Sequence, residues 1–196
     1  MFRDSLFYPL AALLTGGIVA LALSVGGTAP LTDAEIVDRG WQLSGSDLNS
    51  LTVSPGSSAV YSSSEGGFMR LSQQVPLGVE PPSIGVFATL GPAHERAFAG
   101  KRLRVTFRAR TARNNPLSVF QTAYVPVEGA PSQWTNFELG PDWRIYRFEY
   151  TPPVTDAEAN VDLVAVFPGR WGRNRQMDLA FISVELLDDP PAEDEA

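Results

Sequence analysis

Between Leu103 and Ala109 every second residue is apolar, and the positions around them are Arg102, Arg104, Thr106, Arg108 and Arg110. A period of two sends alternate side chains to opposite faces of an extended strand, whereas a helix would spread the same residues around its surface. The pattern therefore demands a half-buried strand, with Leu103, Val105, Phe107 and Ala109 on one side and the arginines on the other. Such a strand needs antiparallel neighbours and a second layer over its apolar side.

The rest of the chain supplies those neighbours. Ser58 to Ser63 and Phe68 to Gln74 flank Glu65-Gly66-Gly67, a hairpin signal. Ser83 to Leu90, Leu117 to Val125, Trp143 to Tyr150, Val161 to Phe167 and Asp178 to Leu187 have strand length, and the 16 Pro and 17 Gly fall between apolar runs. In Trp143 to Tyr150, the aromatics Tyr146, Phe148 and Tyr150 oppose Ile145, Arg147 and Glu149. Val161 to Phe167 and Asp178 to Leu187 are apolar enough to sit centrally. After residue 40 no stretch of ten residues carries apolar side chains at helical spacing, so strand follows strand without crossover helices. The expected fold is all-β, an antiparallel β-sandwich (jelly roll) over 41–187, with one N-terminal transmembrane helix.

That helix is expected over 7–27. Ser5 to Thr32 contains no charged side chain, and about 20 helical residues cross a hydrocarbon core of about 30 Å. Phe7 and Tyr8 suit an aromatic belt, and Pro9 falls in the first turn. A cleaved signal peptide is the alternative, with Gly27-Thr28-Ala29 as its cleavage site. The length of the run, the single Arg3 ahead of it and Pro30 after the site favour a retained signal anchor. The amine and Arg3 precede the run, and Asp33, Glu35 and Asp38 follow it. The positive-inside rule then places 1–6 in the cytoplasm and the β domain of a single-pass membrane protein in the periplasm or outside the cell. Residues 28–40 are expected as a linker with a helical turn capped by Thr32 or Asp33, and the acidic 188–196 as a disordered tail.

Several chemistries lack their residues. The chain has no Cys, which removes disulfides, thiolate metal sites and cysteine nucleophiles. His94 is the one histidine, too few for a transition-metal site, and it is read as a surface residue. There is no Gly-x-Ser-x-Gly, His-Glu-x-x-His or phosphate loop. Glu138, Glu149 and Asp162 are available carboxylates, but nothing pairs them as a glycosidase requires. No catalytic residue, metal or cofactor is expected. The net charge of −7 on an exported domain argues against nucleic acid.

Two features suit a ligand. Arg102, Arg104, Arg108 and Arg110 project from one side of one strand, and guanidinium forks bond carboxylate, sulfate or phosphate in pairs. They form either a groove for an anionic polymer or a solvated face paired with Glu138, Glu149 or Asp162. The second feature is Pro168 to Gln176, where Trp171 stands between glycines beside Arg170, Arg173, Asn174 and Arg175. Sugars stack on exposed rings of this kind while Arg, Asn and Gln bond their hydroxyls. A lid over the sandwich end, or an anchor for a protein partner, are the other readings. Trp134 and Tyr124 would extend the platform, or belong to the core.

Three segments together resemble the jelly-roll carbohydrate-binding modules of the broad galactose-binding-like group. Ala99 to Arg110 resembles the strand that follows a Gly-Lys turn and ends in aromatic-x-Ala. Asp142 to Pro152 resembles the Trp-x-x-Tyr strand, and Met177 to Leu187 the closing strand. The likeness runs over roughly Gly67 to Leu187. Asp178-Leu179-Ala180-Phe181-Ile182-Ser183-Val184 lacks the paired acids of that closing strand, which puts the structural calcium of many such modules in doubt. The resemblance implies a non-catalytic carbohydrate-binding domain, displayed at the membrane for cell-envelope or exopolysaccharide handling, with an acidic polysaccharide suited to the arginine strand. The competing expectation is a scaffold subunit that binds an envelope protein.

Overall fold

The computed structural model describes residues 32–74, 85–154, 161–169 and 173–187. The apolar run 7–27 and the acidic tail lie outside them, and among the described residues no helix is long and apolar enough to cross a membrane.

Residues 32–40 of the segment expected as a linker are folded. Helix α1 (Asp33–Arg39) opens on a capping box, in which Glu35 N–H donates to Thr32 Oγ1 at 3.3 Å and Thr32 N–H donates to Glu35 Oε2 at 2.9 Å. Its one buried residue, Ile36, is fully enclosed in the main core. The helix therefore belongs to the folded domain. It stops at Gly40, whose φ of 65° and close approach to Val184 O exclude a side chain. A second helix, α2 (Pro92–Phe98), was not anticipated, because seven residues are too few to show a 3.6 period. It packs on α1.

The described strands are β1 (Trp41–Ser44), β2 (Thr52–Val53), β3 (Ser57–Ser62), β4 (Phe68–Gln73), β5 (Val86–Leu90), β6 (Leu103–Thr111), β7 (Val119–Val125), β8 (Thr135–Glu138), β9 (Arg144–Tyr150), β10 (Asp162–Phe167) and β11 (Gln176–Leu186). They form two antiparallel sheets. One is six-stranded, ordered β3-β4-β11-β6-β9, with β1 also paired to β11; the other is five-stranded, ordered β2-β5-β10-β7-β8.

β6 obeys its period. Leu103, Val105, Phe107 and Ala109 are fully buried, and Phe107 meets Phe120 of the opposite sheet edge-on, ring centroids 6.1 Å apart. Each such ring contributes roughly 1.5–3 kcal/mol of burial. β11 is irregular: its register slips between Leu179 and Phe181. The extra residue resets the alternation, so Met177 and Leu179 point inward before the bulge and Ile182 and Val184 after it. The same slip lets β11 pair with β4 through Leu179 and with β1 from Phe181 onward.

Buried charge crosses the outer face of the six-stranded sheet. Asp178, with no exposed side-chain surface, accepts from Arg70 Nε at 2.8 Å and Nη2 at 3.1 Å, and from Arg110 Nε at 3.2 Å. Removing one partner of such a cluster leaves uncompensated charge. Asp178→Ala is expected to cost about 3 kcal/mol or more in denaturant unfolding. A second prediction concerns Asp162, whose carboxyl is pushed up from its ordinary 3.8 by burial, against the opposing hydrogen bond from Tyr124. A carboxyl raised in the fold favours the folded state below its unfolded pKa and loses that contribution as pH rises through the folded value. The stability of Asp162→Asn relative to wild type should therefore improve as pH rises from 3.8, then level off. Urea unfolding of both proteins across that range measures it.

Candidate functional site

The five-stranded sheet is apolar on both faces. Inward, Val86, Ala88, Leu90, Phe120, Tyr124, Val164 and Val166 join the main core. Outward, Phe87, Ala123, Val125 and Ala165 form a second cluster, with Trp134 and Leu163 packed against it. Register aligns Phe87 of β5 with Ala165 of β10 and Ala165 with Ala123 of β7. Two alanines thus make a low floor between Phe87 and Trp134. The indole lies edge-on to Phe167 at 6.2 Å and stays partly exposed. Beside it, Gln121 Nε2 donates to Asn136 Oδ1 at 2.8 Å, and Asn136 is exposed. A ring with a carboxamide pair at its edge matches what a pyranose offers, an apolar ring face bordered by hydroxyls.

The expected loop leaves from the end of this face. Gly169 approaches Phe167 and Gln73 so closely that a Cβ would clash with both. Arg173 Nε donates to Gln74 O at 2.7 Å, and Asn174, in the left-handed region at φ 59°, donates its N–H to Gln73 O at 2.8 Å. Arg173, Asn174 and Arg175 are all exposed. Arg170 and Trp171 lie outside the described residues. Phe167 thus joins the base of the loop to Trp134.

Tyr124 is placed elsewhere. It is fully buried, and its hydroxyl donates to Asp162 Oδ2 at 2.5 Å. Burial, with Asp162 beside it, pushes that hydroxyl far above its ordinary value. Parity explains the correction: Phe120, Thr122 and Tyr124 face inward on β7, leaving Gln121, Ala123 and Val125 outward.

The arginine strand resolves into paired and unpaired members. Arg102 is bonded to Glu149 by Nε at 3.0 Å and Nη2 at 2.6 Å. Arg104 sits 3.8 Å from Glu149 and 3.5 Å from Glu185. Arg110 donates to Glu65 at 2.8 and 3.1 Å and to Asp178. Trp143 Nε1–H also donates to Glu65, at 3.0 Å, and the Arg110 bond above all holds the Glu65 carboxyl below its usual range. Of the partners considered from sequence, Glu149 pairs with the strand. Asp162 is turned into the core, and Glu138 lies on the other sheet. Arg108 has no ion pair among the described residues; its guanidinium stands 5.3 Å from the Trp143 ring centroid. His94 stacks edge-on with Phe98, and burial lowers its pKa.

Phe87, Gln121, Asn136 and Phe167 were not singled out in the sequence. The available signal was Asp162 to Phe167, apolar at nearly every position, which implies a strand whose outward face also meets apolar groups. Among the described residues no group of three or more His, Cys, Asp or Glu is arranged to hold a metal.

No protein-family model matches the sequence, and no curated protein matches it. Solved structures match in fold. The second CBM22 xylan-binding domain of Xyn10C from Paenibacillus barcinonensis superposes with a TM-score of 0.56 at 11% identity, covering 75% of this chain and 99% of that one. The first such domain of the same protein gives 0.53 at 6% identity, covering 76% and 95%. An arabinose-bound α-L-arabinofuranosidase gives 0.52 at 10% identity, covering 76% of this chain and 25% of that enzyme. The fold is a carbohydrate-binding-module-like β-sandwich.

Tyr124→Phe is expected to lower stability by about 1–3 kcal/mol, since a buried carboxyl loses its hydroxyl donor. Glycan retention in a gel should stay at the wild-type level.

Proposed function

We propose that this chain is a non-catalytic carbohydrate-binding domain, held at the membrane by residues 7–27 and displayed on the periplasmic or extracellular side in cell-envelope or exopolysaccharide handling. The observation that carries the reading is the outward face of the five-stranded sheet, where Trp134 lies partly exposed on an apolar floor next to the Gln121–Asn136 amide pair. The outer face of a sandwich sheet is ordinarily polar; here its apolar row is buried, and the groups left to meet a ligand are the half-exposed Trp134 indole and the exposed Asn136. The likeness of fold to xylan-binding domains supports a glycan as the class of ligand. Trp171, Arg170, Arg173, Asn174 and Arg175 would extend the same site from the loop whose base adjoins Phe167. The apolar length of 7–27 supports the anchor.

Affinity electrophoresis of the full chain in non-ionic detergent, through gels containing single soluble polysaccharides, tests this reading. Wild type should be retarded by at least one neutral or acidic glycan. Trp134→Ala should lose about tenfold or more of that affinity, as expected for an aromatic anchor, while still unfolding cooperatively, with a midpoint lowered by the lost packing on the second cluster. Equal retardation of wild type and variant would contradict the site. No retardation by any glycan, with a stoichiometric envelope protein co-purifying from detergent, would favour the scaffold reading instead.

A further inference from the structure

The outer face of the six-stranded sheet holds a second, independent constellation. Its carboxylates are already engaged: Asp178 with Arg70 and Arg110, Glu65 with Arg110, Glu149 with Arg102 and Arg104, and Glu185 with Arg104. Two arginines are left over. Arg108 of β6 and Arg147 of β9 are exposed and carry no ion pair among the described residues. Register makes them diagonal neighbours, because Thr106 pairs with Arg147 and Arg108 with Ile145. Diagonal positions on one face of an antiparallel pair are about 7–8 Å apart, within reach of long side chains. Like charges so placed repel, and a shared anion relieves that repulsion.

The surroundings narrow the anion. Arg104, opposite Glu149, is Arg147's other diagonal neighbour, but Glu149 and Glu185 already meet its charge, so the uncompensated charge is the Arg108–Arg147 pair. Two fixed guanidinium groups on an open strand face, rather than in an enclosed pocket, suit a carboxylate carried on a longer chain. Beside the pair lie Ile145, 45% exposed, and the half-exposed Trp143, on whose ring the Arg110 guanidinium packs at 4.2 Å and the Arg108 guanidinium at 5.3 Å. Ser183 is aligned with Thr106 in the centre and adds a hydroxyl. Trp143 is itself fixed by its bond to Glu65, so its hold on Arg108 is preorganised.

We propose that Arg108 and Arg147, with Trp143 and Ile145, form a second binding surface for a uronate-bearing polysaccharide, on the sheet opposite Trp134. A carboxylate would lie between the two guanidinium forks, with the sugar ring against Ile145 and Trp143 holding the Arg108 guanidinium in place beneath it. The inference rests on the carbohydrate-binding reading but uses different residues, so the two can fail separately.

The test uses the full chain in non-ionic detergent, with polygalacturonate and a neutral xylan as probes in parallel gels at low and high salt. The double variant Arg108→Gln/Arg147→Gln should lose on the order of tenfold or more in polygalacturonate affinity at low salt, as two charge-assisted contacts are removed. High salt should narrow the difference. Binding to xylan, where wild type shows it, should be unchanged in this variant and lost in Trp134→Ala. A charge-matched control, Arg39→Gln/Arg96→Gln, removes two exposed arginines elsewhere and should bind polygalacturonate nearly as wild type does. Wild-type affinity in the Arg108/Arg147 variant, or an equal loss in the control, overturns the inference and leaves the Trp134 reading standing. Stronger binding to phosphatidylglycerol vesicles, displaced by polygalacturonate and lost in the same variant, would also overturn it, assigning the surface to a lipid headgroup.

Discussion

A strand that is apolar on both faces has to be covered on both. β10 is that strand, and it forces the five-stranded sheet into its arrangement. Val164 and Val166 enter the main core, and Ala165 and Leu163 point outward into the second cluster. Pairing with β5 and β7 on either side satisfies its backbone. Because Ala165 is flanked by Ala123, the outward surface is low there, and Trp134 occupies the space against it. The same choice of small residues that accommodates the indole leaves its edge beside Gln121 and Asn136. Packing and recognition therefore share one row of side chains.

The six-stranded sheet solves the opposite problem. Its outward positions are charged, and the most enclosed of them, Asp178, is held by two guanidinium groups across β4, β11 and β6. Burying that carboxylate carries a desolvation cost which its bonds must offset, so its contribution lies in fixing where Arg70 and Arg110 stand. Arg110 in turn orients Glu65, and Glu65 orients Trp143. Carboxylates spent on these contacts are not available to Arg108 and Arg147. One sheet thus carries a buried apolar outer row with Trp134 at its edge, and the other an ordered set of ion pairs with Arg108 and Arg147 left over.

Much of the architecture was legible in the residues, for identifiable reasons. β6 and β9 show their period openly because each has one wet face. β11 does not, since the extra residue near Ala180 reverses its parity midway. α1 carried a readable capping box in Thr32 and Glu35, but with Ile36 as its one buried anchor it read as a linker. On β7 both faces are apolar, so parity could not separate Tyr124, which is core, from Ala123, which is outward. Trp134 reads in the sequence either as platform or as core, and it packs against the second cluster while staying partly exposed. The Arg70–Asp178–Arg110–Glu65–Trp143 network joins residues 45 to 108 positions apart, and no local pattern announces it.

The central claim is that a glycan meets the outer face of the five-stranded sheet at Trp134. The chain has 4 tryptophans, each with one indole N–H signal, assignable by single Trp→Phe replacements. Titrating the isotopically labelled full chain in detergent with a soluble neutral oligosaccharide reads all of them at once by two-dimensional NMR. The account predicts a saturable shift of the Trp134 indole, while Trp41, packed against the core, and Trp143, on the opposite sheet, stay still. Saturable binding that moves Trp143 and leaves Trp134 in place would contradict it.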